Sequence, residues 1–181
     1  MSGDAWISET APYLAPRAPG QQDAWTDEAA RRGRRGGQLL LQAGEVVAPD
    51  AVRAALQLPP GGHVIVRRRL ILLDDQPVEL ADSYYPLAIA GGTPLAERRK
   101  VPGGAVTLLR DLGYTGAEVV EDVSAALASA AKCEHLGLPQ GSAVLRLLRL
   151  TRTADGTPME ASVMTMPTDR HLTYRLGKQG V

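Results

Sequence analysis

The chain has 181 residues, 44% hydrophobic and 22% charged, a balance that supports the buried core of one ordinary domain and excludes wholesale disorder. Twenty Lys plus Arg offset twenty Asp plus Glu, so no overall basic field exists to hold nucleic acid or an anionic membrane, and a charged partner must use a local patch. The one cysteine, Cys133, excludes an intrachain disulfide and a Cys-rich metal site; with neither a secretory leader nor a membrane-length apolar run, this places the chain in a reducing cytoplasm.

In chain order, Pro12, Pro16, Pro19 and Gly20 interrupt residues 1–22, which read as an extended arm or linker ahead of one domain over residues 23–181. Thr26 is placed to cap a short helix with Asp27 and Glu28 in its first turn, ended by Gly33, Gly36 and Gly37. Residues 38–48 predict a strand, and Pro49 opens a helix to Leu56, followed by an LPPGG turn. A hairpin follows: strand 63–73, a turn over 74–76, and strand 77–85 stopped by Pro86. A loop then leads through Gly103 and Gly104 into a helix carrying Val106, Leu109 and Leu112, with Gly113 as its stop. Residues 117–127 predict another strand. Ser129 caps a helix running to Leu136 and ended by Gly137, a second hairpin turns across 154–156, and residues 168–181 form a terminal strand or tail.

An internal repeat organises these elements. At a constant spacing Leu56, Pro59, Gly61, Val64, Arg69, Leu70 and Asp75 match Leu136, Pro139, Gly141, Val144, Arg149, Leu150 and Asp155. After a one-residue slip in the turn, Pro77, Glu79 and Pro86 match Pro158, Glu160 and Pro167. One helix and one hairpin cannot bury a core alone, so the two copies must join their sheets. The expectation is an α+β domain with a pseudo-twofold antiparallel sheet.

Arg67 and Arg69 lie two apart on one strand and project from one face, with Arg68 opposite; paired guanidiniums can hold a carboxylate or phosphate. Glu79 on the returning strand either binds a ligand hydroxyl or neutralises one of those arginines. Trp25-Thr26-Asp27 sets an aromatic plate beside helix amides, and the glycines before Val106 offer a second amide cradle, although ordinary turn duty explains them better. The RRGRR run at 31–35 reads as a solvated helix end. His63, His135 and His171 lack metal spacing, and no nucleophile elbow, P-loop or dinucleotide fingerprint is present. The expectation is no catalytic residue, no metal and no cofactor.

The repeat, the hairpin LDDQPVELADSYYP and the segment LPQGSAVLRLLRLTRTADGTPMEASVMTMPTDRHLTYRL resemble the UTRA domain, the effector-binding domain of GntR-type bacterial transcription regulators of the HutC subfamily. The resemblance runs from Asp23 to Leu176. It implies a chorismate lyase-like fold, a small metabolite or sugar phosphate as effector, homodimers, and DNA contact through a winged helix-turn-helix head that the Pro-rich start does not supply. It also implies a pocket drawing on Trp25, Thr26, Asp27, Arg69, Ile71, Ala81, the helix start at Gly104 to Val106, and Met166. The family's amino-sugar-phosphate binders resemble Arg at Ile71, Glu at Ala81, and Tyr near Val106 and Met166, so the departures here imply a less polar effector.

Three functions follow: a non-catalytic sensor anchored on Arg69, a chorismate lyase-like enzyme acting on a small carboxylate, and a dimerisation module whose pocket is filled by side chains.

Overall fold

The computed structural model describes Ile7–Ser8, Gln21, residues 23–172 and Tyr174. Most of the expected arm over 1–22, and the tail beyond Leu172 apart from Tyr174, lie outside the described residues. Strand β1 (Ile7–Ser8) pairs in parallel with β8 (His171–Leu172).

The main sheet has six antiparallel strands built as two meanders. The first contains β2 (Gly36–Val47), β3 (His63–Leu73) and β4 (Gln76–Pro86); the second contains β5 (Glu118–Leu127), β6 (Ala143–Arg152) and β7 (Pro158–Pro167). The order β2-β3-β4-β7-β6-β5 joins the two copies at β4 and β7, with Asp82 opposite Val163 at the seam. The repeat seen in sequence is therefore a pseudo-twofold in space. Asp74 and Asp75 close the first hairpin at φ of 49° and 65°, the left-handed pair that matches strand twist in a two-residue loop.

On one face of the sheet, each copy's helix packs across the seam. Helix α2 (Asp50–Ala55) and the turn after it bury Val52 and Leu56 against Val64 and Val66 of β3, and also against Ala161 and Val163 of β7. Leu136 of α5 (Ala130–Leu136) packs on Leu70 and Leu80 of the first copy. Each such side chain contributes roughly 1.5–3 kcal/mol by leaving water. Neither half can therefore open without exposing the other.

The opposite face carries two apolar caps. Helix α1 (Ala24–Arg31) lays Trp25 and Ala29 on Ile71, Leu73, Leu147, Met164 and Met166. Helices α3 (Leu87–Ala90) and α4 (Gly104–Asp111) cover Ile65, Tyr85 and Met159. Helix α3 stands where the sequence predicts only loop, because a four-residue helix between Pro86 and Gly91 is too short to show a period. Among the described residues no helix is long and apolar enough to cross a membrane.

The caps differ from expectation at one start. Asp23, not Thr26, caps α1: its carboxylate accepts from the Thr26 amide at 3.0 Å and from the Thr26 hydroxyl at 3.0 Å. Ser129 and Gly137 bound α5 as the sequence predicts, Gly137 at φ 65°.

Candidate functional site

Between the two caps the sheet carries a polar belt. Alternation along β3 sends Arg67, Arg69 and Ile71 to this face, and the register sets Ser83 opposite Arg67, Ala81 opposite Arg69 and Glu79 opposite Ile71. Across the seam Ser83 faces Ser162, which in turn faces Arg149 on β6.

The belt is a directed hydrogen-bond chain. Arg69 Nη2 donates to Ser83 Oγ at 3.0 Å, the Ser83 and Ser162 hydroxyls meet at 2.9 Å, and Ser162 donates to Glu160 Oε1 at 2.7 Å. Ser162 has one proton and spends it on Glu160, so Ser83 donates to Ser162. The Tyr85 hydroxyl also reaches Glu160 at 3.3 Å, and burial first, then the Glu160 charge, raises its pKa. Arg149 Nε is bound by Glu121 Oε1 of β5 at 2.6 Å.

Two groups in this belt are unsatisfied. Arg69 Nε is buried without a hydrogen-bond partner among the described residues. Glu79 makes no hydrogen bond or ion pair among the described residues, and its burial raises the carboxyl's pKa against the opposing pull of Arg170, Arg149 and Arg69. A buried donor left unpaired costs roughly 1–3 kcal/mol, so such groups mark places where a partner is missing.

The residues named from sequence divide between these surroundings. Trp25, Ile71, Ala81 and Met166 come together in the α1 cap. Trp25 is fixed there by its Nε1 donating to Leu72 O at 2.8 Å, and the Arg170 guanidinium stands 5.7 Å above its ring. Gly36 is required beneath it: a Cβ would come within 3.0 Å of Trp25 Cδ1 and Nε1 and of Ala29 Cβ. Gly36 therefore admits α1 to the sheet besides following its end.

Thr26 and Asp27 occupy the first turn of α1, and their amides are taken by the Asp23 side chain and carbonyl. This corrects the expectation that those amides are open to a ligand, because the cap lies three residues earlier. Arg67 shares the face of Arg69, but its guanidinium donates to the carbonyls of Leu95, Glu97 and Arg99 at 2.9–3.0 Å. Burial lowers its pKa, with Tyr85 opposing and Arg69 adding to the shift. Arg68 points to the other face and binds Asp82 bidentately at 2.8 and 2.9 Å. The Gly104 amide donates to Val101 O, and Val106 is half-buried on α4 outside the apolar clusters.

Sequence reasoning passed over Ser83, Ser162, Glu160 and Arg149. The repeat held the signal: its spacing carries Arg69 onto Arg149 and Glu79 onto Glu160. A separate surface hollow at the end of β7, lined by Leu138, Ser142, Ala143, Pro167, Thr168 and Asp169, shares no residue with the belt.

Comparison with known proteins agrees with this architecture. The family model described as the UTRA domain matches residues 31–171. An uncharacterised HTH-type transcriptional regulator of Streptomyces coelicolor is 34% identical over 138 residues, covering 75% of this chain and 51% of that protein. An HTH-type transcriptional regulator of Mycobacterium tuberculosis is 32% identical over 130 residues, covering 68% of this chain and 46% of that protein. The chain thus spans about half the length of these curated relatives. In three dimensions it resembles the effector domain of PhnF from Mycobacterium smegmatis, with a TM-score of 0.71 and 21% identity over 85% of this chain and 94% of that one. That likeness establishes the fold.

Proposed function

The chain belongs to the UTRA domain family, and from that premise we propose that it is the small-molecule effector-binding and dimerisation domain of a GntR-type transcription regulator of the HutC subfamily. It works in the cytoplasm as a homodimer. DNA contact belongs to a winged helix-turn-helix head that residues 23–172 do not include. The domain performs no chemistry: an effector with different affinity for two arrangements of the dimer shifts their populations, and the head reports the shift.

The observation that carries this reading is the buried Nε of Arg69, without a hydrogen-bond partner among the described residues, at the end of a chain in which Ser83, Ser162 and Glu160 are bonded. A guanidinium with a free donor in a partly dry site is the chemistry that receives an oxyanion. The apolar α1 cap beside it, with Trp25, Ile71, Ala81 and Met166, supplies a water-excluding wall.

An enzyme that clamps a dicarboxylate between two arginines would use the repeat-related pair Arg69 and Arg149. Arg149 is committed to Glu121 at 2.6 Å, which favours the sensor. Pyruvate release from chorismate by the purified chain would reverse that preference.

The test is a thermal-shift screen of a metabolite panel with the wild-type chain and Arg69→Ala. An effector at about a hundredfold its Kd raises Tm by roughly 5–10 °C in wild type. Arg69→Ala loses that rise while sedimentation still reports a dimer. Unchanged effector affinity in Arg69→Ala removes Arg69 from the site.

A further inference from the structure

We infer that Arg69 and Glu79 form a two-point site for a small amphoteric metabolite, its oxyanion docking on Arg69 and its ammonium on Glu79. This rests on the effector-binding reading above and names the ligand class.

The repeat provides an internal control. Arg149 and Glu160 occupy, in the second copy, the positions that Arg69 and Glu79 occupy in the first. Both second-copy groups are satisfied, Arg149 by Glu121, and Glu160 by Ser162 and Tyr85. In the first copy, Leu40 of β2 faces Arg69 as Glu121 faces Arg149, so Arg69 has no acid from its edge strand. Glu79 likewise has no hydroxyl partner among the described residues. The same cation and the same acid are thus closed in one half and open in the other.

Their placement fits one molecule. Arg69 faces Ala81, which puts Glu79 on the diagonal of the same face, roughly 7–8 Å away at the backbone. The two side chains make no hydrogen bond or ion pair with each other among the described residues, and that separation lets both reach the ends of one short metabolite. The apolar side chains of Ile71 and Ala81, between and beside them, suit a hydrocarbon spacer.

The charges around Glu79 come from four elements: Arg170 after β7, Arg149 of β6, Arg69 of β3 and Glu28 of α1. An oxyanion seated on Arg69 cancels one of the cations that favour the Glu79 carboxylate against burial, and an ammonium restores that pull. Burial favours the neutral Glu79 carboxyl and an arriving ammonium favours the carboxylate, so binding is coupled to loss of any proton that Glu79 carries. Binding therefore tightens as pH rises through that pKa.

The experiment is isothermal titration calorimetry of the full chain with matched pairs: δ-aminovalerate against valerate, ε-aminocaproate against caproate, and aminopropylphosphonate against propylphosphonate. At least one aminated member binds roughly ten- to hundredfold tighter than its deaminated partner. Calorimetry in two buffers registers proton release, and the carboxylate and phosphonate arms identify the oxyanion. Glu79→Gln, with Glu79→Ala as a second variant checked by circular dichroism, erases the preference and keeps the deaminated partner's affinity. Arg69→Gln removes both. Equal binding within every pair, a preference that survives in Glu79→Gln, or silence from all pairs overturns the amphoteric assignment while leaving the wider effector screen standing. Binding that ignores Arg69→Gln overturns the effector site itself.

Discussion

The two copies of the repeat share a backbone plan and differ in what they do with charge. Residue for residue, Arg67 corresponds to Leu147, Arg69 to Arg149, Glu79 to Glu160 and Ala81 to Ser162. The second copy has an apolar residue at the first of these positions and partnered ions at the next two. The first copy needs an arginine at position 67 because the loop at 94–99, which follows β4 and α3, presents carbonyls that require donors. The loop takes one arginine and leaves the next one, Arg69, unsaturated. One half of the sheet is thus built for stability and the other retains unmet hydrogen-bonding capacity, which is where a ligand gains most.

The sharpest way to break this contrast is to give the first copy the second copy's residue at position 67. Arg67→Leu removes the donors to Leu95, Glu97 and Arg99 and should cost about 3 kcal/mol, read as a lower urea midpoint at constant m-value. A variant as stable as wild type would show that the loop does not depend on Arg67. A smaller effect comes from importing the second copy's acid. Leu40→Glu places a carboxylate opposite Arg69, as Glu121 stands opposite Arg149, and should weaken effector binding roughly tenfold with little change in Tm. Retained affinity would mean that the absence of an edge-strand acid is not what leaves Arg69 open.

Most of the fold was legible because the repeat and its punctuation are local. The boundaries of β3, the Ser129 cap and the Gly137 stop all follow from residues within a few positions. The Asp23 cap was missed because Asp23 and Thr26 are both good caps three residues apart, and only the placement of Trp25 against β2 and β3 selects the earlier one. The site was legible in part. Strand parity put Arg67, Arg69 and Glu79 on one face, but the fates of the two arginines depend on a loop some thirty residues away in sequence. Nothing local to RRR distinguishes a guanidinium bound to carbonyls from one with a free Nε. The Ser83–Ser162 link joins strands across the seam, a long-range pairing that parity alone does not supply.

The smallest expected effect separates the acids of the two copies by pH. In the unfolded chain Glu79 titrates near the ordinary glutamate value of about 4.3, whereas burial in the folded state raises its pKa. Between those values the folded state holds a proton that the unfolded state has released, so stability falls as pH rises through the interval. The guanidiniums of Arg170, Arg149 and Arg69 limit the loss by favouring the ionised carboxylate, and Glu28 opposes them. Glu79→Gln abolishes this part of the slope, so the variant gains on wild type as pH rises from the acid side towards neutrality. Glu160 accepts from Ser162 and Tyr85, so Glu160→Gln weakens two bonds across the seam and should lose stability at every pH. Urea denaturation of the two variants at a series of pH values checks the gain in one and the loss in the other. A Glu79→Gln slope parallel to that of wild type would mean that the fold does not favour the neutral Glu79 carboxyl, and the division between a closed and an open half would fail at Glu79.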